Sequence, residues 1–235
     1  MSTLADNLAA VRTRIEQAAQ AAGRDPGGVA LLAVSKTWPA ADVAALAELG
    51  QREFAENKVQ ELVAKAEELG HLDLRWHLVG QLQRNKATAV VGAGAVVQSV
   101  DRVSLVERLA GVAERAEVVT EVFVQVDLGG PEGEAAARGG VAPEHAVELA
   151  DAVAGHPSLR LRGLMAVAPR GGPPRPAFDR LAVLATRVRA DHPEAGELSA
   201  GMSADLEDAV AAGATVVRVG TALFGSRPLA SGSGP

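Results

Sequence analysis

Lys36 is the side chain of this sequence best suited to covalent chemistry. It follows Leu31, Leu32, Ala33, Val34 and Ser35, an apolar run that reads as a strand. That strand is expected to lift the amine into a partly dry cavity, where the neutral, nucleophilic form of a lysine is favoured. Such an amine forms Schiff bases with carbonyl compounds. The competing expectation is a strand-end ammonium that reaches solvent or pairs with Glu56. A second set of residues suits an anion: the turns Ser199-Ala200-Gly201-Met202-Ser203 and Gly220-Thr221 are small and polar, so their backbone N–H groups can close around a phosphate. Taken alone these turns also fit helix caps, with Ser203 as the N-cap of a helix over residues 204–212. Of the five histidines only His77 falls in a strand; it reads either as an acid–base group or as a hydrogen-bonded core residue. None has metal-ligand spacing. Met165 reads as wall packing.

These residues need a scaffold that brings them to one place. Leu8, Val11 and Ile15 recur at helical spacing between charges, which predicts an amphipathic helix over residues 4–22 ended by Gly23 and Pro26. Short runs rich in Val, Leu and Phe then alternate with segments of helical period, the pattern of a parallel sheet built from β/α units. Strands are expected at residues 29–35, 53–55, 75–79, 95–98, 121–126, 160–164, 197–199 and 215–219. Helices are expected at 40–49, 59–69, 84–91, 103–116, 143–155, 175–191 and 204–212. Eight such repeats in 235 residues favour a closed (β/α)8 barrel with an extra N-terminal helix over an open doubly wound sheet. In a barrel the chemistry gathers where the strands end, and Lys36, Asn57, Ser99, Asp127, Met165, Ser199 and Gly220 then share one mouth. The stretches 129–140, with five glycines, and 169–176, with four prolines, read as exposed mobile loops. The barrel is expected to span residues 1–228, with residues 229–235 a disordered tail.

Composition narrows the function classes. A net charge of −6 without a long basic run does not suit nucleic acid. The longest uncharged stretch, residues 87–99, is too short to span a bilayer and contains Gly92 and Gly94. The N-terminus lacks the compact apolar core of a secretory signal, so a cytoplasmic location is expected. Cysteine and tyrosine are both absent, which excludes disulfides and a cysteine nucleophile.

Seven ordered segments resemble the YggS/PROSC family of pyridoxal phosphate homeostasis proteins: Leu-Ala-Val-Ser-Lys-Thr at 32–37, Glu-Asn-x-Val-Gln-Glu at 56–61, Trp-His-x-x-Gly-x-Leu-Gln-x-Asn-Lys at 76–86, Ser-Val-Asp-Arg at 99–102, Leu-Arg-Gly-Leu-Met at 161–165, Gly-Met-Ser-Ala-Asp-Leu at 201–206, and Val-Arg-Val-Gly-Thr-Ala-Leu-Phe-Gly at 217–225. The resemblance implies a fold-type III barrel like the N-terminal domain of alanine racemase. It further implies pyridoxal 5′-phosphate held as an internal aldimine on Lys36, with Ser199, Ser203, Gly220 and Thr221 at the phosphate. Asn57, His77 and Met165 would line the cofactor, and Arg218 would stand at the pyridine nitrogen. Ala55 and Lys58 depart from the glycine and tyrosine common in the family. The implied role is non-catalytic cofactor homeostasis; separately, a monomer is expected, with pyridoxal-phosphate-dependent apo-enzymes as recipients.

The alternative is a racemase or decarboxylase on the same fold. Related racemases use a tyrosine opposite the cofactor lysine and related decarboxylases a cysteine, and this chain has neither. A guanidinium beside the ring nitrogen also disfavours its protonation and weakens the ring as an electron sink. A lysine-dependent aldolase is a third reading, disfavoured by the place of Lys36 on the first strand. The groups left for a second proton transfer are His77, Asp127 and Glu56.

Overall fold

The computed structural model describes residues 3–129 and 139–225. Its eight strands, β1 (Ala30–Val34), β2 (Glu53–Glu56), β3 (Arg75–Leu78), β4 (Val96–Val100), β5 (Thr120–Val126), β6 (Leu159–Ala166), β7 (Glu197–Ser199) and β8 (Val216–Val219), pair in chain order into a closed barrel. Every pairing is parallel, and β1 meets β8 in the register Leu32 with Arg218 and Ala33 with Val219. The sheet is thus closed as the eight repeats predict. Most of the apolar core lies between sheet and helices, where Ala33, Phe54, Trp76 and Val217 pack. Their sequence neighbours face the other way, since side chains alternate along a strand. Leu32, Ala55 and Val216 form one small cluster and Val96, Phe123 and Met165 another, and the buried polar residues His77, Gln98, Ser199 and Arg218 lie on the same inner face.

The outer layer comprises α1 (Leu4–Ala21), α2 (Ala40–Glu48), α3 (Val59–Glu68), α4 (Ala87–Gly92), α5 (Val103–Arg115), α6 (Ala146–Ala154), α7 (Arg175–Asp191), α8 (Leu206–Ala211) and α9 (Thr221–Phe224). A capping box starts α1: the Asp6 N–H donates to Thr3 Oγ1 at 3.1 Å and the Thr3 N–H to the Asp6 carboxylate at 2.9 Å. The α1 helix is fastened to the β8 side of the barrel, where Asn7 donates to Leu223 O at 2.7 Å and Arg14 to Ser203 O at 3.2 Å. It therefore braces the turns expected to bind an anion.

Several boundaries differ from expectation. Residues 84–86 and 143–145 are single 3-10 turns ahead of α4 and α6. Ser199 does close β7, but Ser99 lies inside β4 and Met165 inside β6. The N-cap of α8 is Asp205, which accepts from the Met202 N–H at 2.6 Å, so Ser203 is not the cap expected of it. The four-residue α9 went unpredicted because one helical turn has no periodicity to read. Most of the 129–140 loop and the whole 229–235 tail lie outside the described residues.

Candidate functional site

The first strand ends in a turn that carries Lys36, and the second β/α unit holds that turn on both sides. Ser35 Oγ donates to Glu56 Oε1 at 2.7 Å, and Lys65 Nζ donates to Ser35 O at 2.8 Å and to Glu56 Oε1 at 2.5 Å. All three residues are buried. Burial raises the Glu56 carboxyl, and the Lys65 and Ser35 hydrogen bonds pull it back down. Past Lys36, Thr37 adopts φ 70°, a left-handed conformation costly for a β-branched residue. Its N–H donates to Glu61 Oε2 at 2.9 Å, which holds that carboxyl below its usual range. Lys36 itself is exposed. The dry setting expected of it is not found, because the strand stops at Val34 and the turn carries the lysine out to the barrel's rim. Nor does Lys36 pair with Glu56, which is committed to Ser35 and Lys65.

Lys36 faces a cavity of about 420 Å³ that also meets Asn57, Met165, Ser203, Arg218, Gly220 and Thr221, within the ~300–1,000 Å³ range of small-ligand pockets. Seven of the nine residues singled out from sequence are thereby brought together. Gly80 is what lets Asn57 sit there: a Cβ on it would come within 2.0 Å of Asn57 O. Gly201 holds the other corner, with φ +86° and an added Cβ only 2.5 Å from Ala209 Cβ. Ser203 Oγ accepts from the Ala222 N–H at 3.4 Å, tying the β7 turn to α9. The backbone N–H groups of Ser203 and Ala204 are spent on no carbonyl among the described residues, which suits an anion at this corner.

Arg218 forms the floor. Its Nη1 donates to the carbonyl and hydroxyl oxygens of Ser199, both at 2.8 Å, and its Nη2 to Ala166 O at 2.8 Å. A guanidinium has more donors than these three contacts use, and Arg218 lines the cavity. Burial pushes it down to about 10, with Asp205 opposing, so it stays cationic at neutral pH. It forms no ion pair among the described residues. A buried cation of this kind favours an acceptor placed against it.

Two of the nine are not on the cavity wall. Ser199 is buried behind Arg218, and its hydroxyl donates to Gln98 Oε1 at 2.7 Å. His77 lies deeper still, bonded through Nδ1 to Gln98 Nε2 at 3.0 Å. Both point into the barrel below the mouth, because their strands place them a layer beneath the ends of β1 and β8. Sequence reading missed Trp38, which lines the cavity and stacks on Phe224 with centroids 5.6 Å apart. Its place two residues after Lys36 was the available signal. It also missed Val34 and Val79, the apolar walls beside Lys36 and Asn57. Among the described residues no group of three or more His, Asp or Glu could hold a metal ion, and no helix is long and apolar enough to cross a membrane.

The residues present fit pyridoxal 5′-phosphate: one cavity wall carries a primary amine at the rim, hydroxyls and N–H groups that meet no carbonyl among the described residues, and a buried guanidinium. Comparison with known proteins agrees. The family described as alanine racemase, N-terminal domain, matches residues 7–228. The pyridoxal phosphate homeostasis protein of Pseudomonas aeruginosa is 45% identical over 233 residues, covering 97% of each chain. That of Mycobacterium tuberculosis is 44% identical, covering 98% of this chain and 95% of the relative. The solved structure of PipY from Synechococcus elongatus with pyridoxal phosphate bound superposes with a TM-score of 0.83 at 37% identity, covering 95% of this chain and 100% of that one. The chain belongs to the family of pyridoxal phosphate homeostasis proteins, built on the barrel of the alanine racemase N-terminal domain.

Proposed function

We propose that this protein binds pyridoxal 5′-phosphate at its barrel mouth and serves intracellular homeostasis of that cofactor, without turnover of its own. The observation that carries the reading is one cavity shared by Lys36, Arg218 and the Ser203/Thr221 corner. When bound, the cofactor supplies an aldehyde carbon to which a primary amine adds with loss of water. Lys36 provides that amine. Ser203, Gly220 and Thr221 hold the phosphate through N–H and hydroxyl donors, Arg218 offers a donor to the ring nitrogen, and Asn57 and Met165 flank the ring. Ser199 and His77 act from behind Arg218 and make no direct contact. Among the described residues Lys36 and Arg218 are the only titratable groups on the cavity wall. The other acid–base candidates are committed elsewhere: Glu56 to Ser35 and Lys65, Asp127 to the Gly129 N–H at 3.0 Å, and His77 inside the barrel. Among the described residues no second proton-transfer group lines the cavity across from the lysine, in keeping with the absent tyrosine and cysteine. The cofactor-binding unit spans residues 1–228, acts as a cytoplasmic monomer, and hands its cargo to pyridoxal-phosphate-dependent apo-enzymes.

Borohydride reduction of the cofactor-loaded protein, followed by peptide mapping, is expected to leave the pyridoxyl label on Lys36. A label found chiefly on Lys58, Lys65 or Lys86 overturns the assignment. Replacing Ser203 and Thr221 together by Ala is expected to weaken retention by at least about tenfold, since charge-assisted bonds contribute ~1–3 kcal/mol each, while binding of pyridoxal stays unchanged. Equal retention by the double variant places the phosphate elsewhere.

A further inference from the structure

A file of hydrogen-bonded polar side chains runs inward from Arg218 through the barrel interior. Arg218 Nη1 donates to Ser199 Oγ at 2.8 Å, Ser199 Oγ to Gln98 Oε1 at 2.7 Å, and Gln98 Nε2 stands 3.0 Å from His77 Nδ1. At the far end His77 Nε2 is buried, has no hydrogen-bond partner among the described residues, and lies 3.6 Å from Glu53 Oε2. Glu53 belongs to a half-buried group of ion pairs with Arg75, Glu121, Arg162 and Glu197. The file therefore joins the mouth of the barrel to charges near the amino ends of its strands.

Donor chemistry sets the direction of each bond. A guanidinium only donates, so Ser199 Oγ accepts from Arg218 and passes its own hydrogen to Gln98 Oε1. The Gln98 amide then turns its N–H toward His77, whose Nδ1 has to accept, and the ring proton sits on Nε2 facing the Glu53 carboxylate. The opposite polarity leaves the buried Ser199 hydrogen without an acceptor and aims a lone pair of His77 at a carboxylate. Both are costly in a dry interior. Desolvation, reinforced by Arg75 and Arg162, pushes His77 down to about 3, so the imidazole is neutral wherever the protein is folded near neutral pH.

We propose that His77 is a positioning residue which, neutral and protonated on Nε2, closes a relay through Gln98 and Ser199 that fixes which Arg218 N–H groups face the cavity. This rests on the functional reading above in one respect: those N–H groups are the ones that meet the cofactor ring. The sequence singled out His77 for direct contact. Its effect instead reaches the site two side chains away.

The test uses full-length protein labelled with ¹⁵N. Long-range imidazole correlations of the ligand-free chain are expected to give His77 as the neutral Nε2–H form, and Gln98→Glu, whose carboxylate cannot donate to Nδ1, is expected to convert it to Nδ1–H. His77→Asn keeps an acceptor near the place of Nδ1 and is expected to retain the wild-type Arg218 Nε–H shift and cofactor affinity. His77→Leu and Gln98→Leu are expected to move that shift, weaken cofactor binding by about fivefold, the worth of one hydrogen bond, and displace the visible absorption band of the bound cofactor. Melting curves confirm that each variant is folded. A wild-type His77 that is Nδ1–H or charged at neutral pH overturns the proposal, as does a folded Gln98→Leu with unchanged Arg218 shift and affinity. If wild type binds no pyridoxal phosphate while the tautomer and Arg218 shifts respond as stated, the functional reading fails and the relay stands.

Discussion

Lys65→Met is expected to destabilise the protein by about 3–5 kcal/mol, the cost of stranding one member of a buried ion pair. Lys65 reaches from α3 to the end of β1, where its ammonium serves Glu56 at 2.5 Å and the Ser35 carbonyl at 2.8 Å, both fully buried. Methionine fills the stem's volume but leaves a carboxyl and a carbonyl in a dry interior without their donor. Protonation of Glu56, already favoured by its burial, relieves part of this cost and not the loss at Ser35. Pairing the change with Glu56→Gln supplies an amide that can meet the Ser35 hydroxyl and carbonyl together, and most of the stability is expected to return. Urea unfolding of the single and double variants measures the difference; a single variant within about 1 kcal/mol of wild type shows that the pair contributes little. The turn carrying Lys36 is anchored by the same residues, so the single variant is also expected to trap less cofactor on Lys36 under borohydride at temperatures where it is still folded.

The second large effect is on acid stability. His77 is buried and depressed from 6.5 to about 3, whereas the unfolded chain titrates it normally. Below pH 6.5 the unfolded state therefore binds a proton that the folded state refuses, and stability is lost progressively as the pH falls toward 3. The full loss is on the order of 5 kcal/mol. Two groups act oppositely: burial raises both Glu53 and Glu56, so folding favours their protonation above the unfolded carboxylate range and softens the loss. Comparison with His77→Asn isolates the histidine, because both carboxyls are kept. Denaturant unfolding at about pH 7 and about pH 4.5 is expected to show wild type losing roughly 2–3 kcal/mol more than the variant. Parallel pH profiles mean that His77 is not a buried neutral imidazole.

Much of this molecule is legible in its residues one after another. Alternating Val- and Leu-rich runs and helical segments give eight β/α units, because a parallel sheet needs strands that are apolar on both faces and a helix to cross between each pair. Lys36 and the Gly220-Thr221 turn could be picked out because their chemistry is local: an amine at a strand's end, small residues where backbone N–H groups must approach an anion. The seven ordered blocks carried the family. The absence of tyrosine and cysteine is a property of composition alone, and it weighs against racemase or decarboxylase chemistry whatever the fold.

Depth and partnership were decided only by the tertiary structure. Whether a strand residue stands at the rim or a layer below depends on where its strand stops and how neighbouring strands are staggered, so Lys36 proved exposed while His77 and Ser199 sank behind Arg218. The bonds linking Arg218, Ser199, Gln98 and His77 join residues from four strands that are far apart in the chain. No spacing encodes them, since they arise when the sheet closes on itself. The same holds for Lys65. Its sequence setting is that of a lysine on a helix, and its burial against Glu56 follows from the packing of α3 over the ends of β1 and β2. Local chemistry determined which residues could act, and closure of the barrel determined which of them reach the cavity and which hold the others in place.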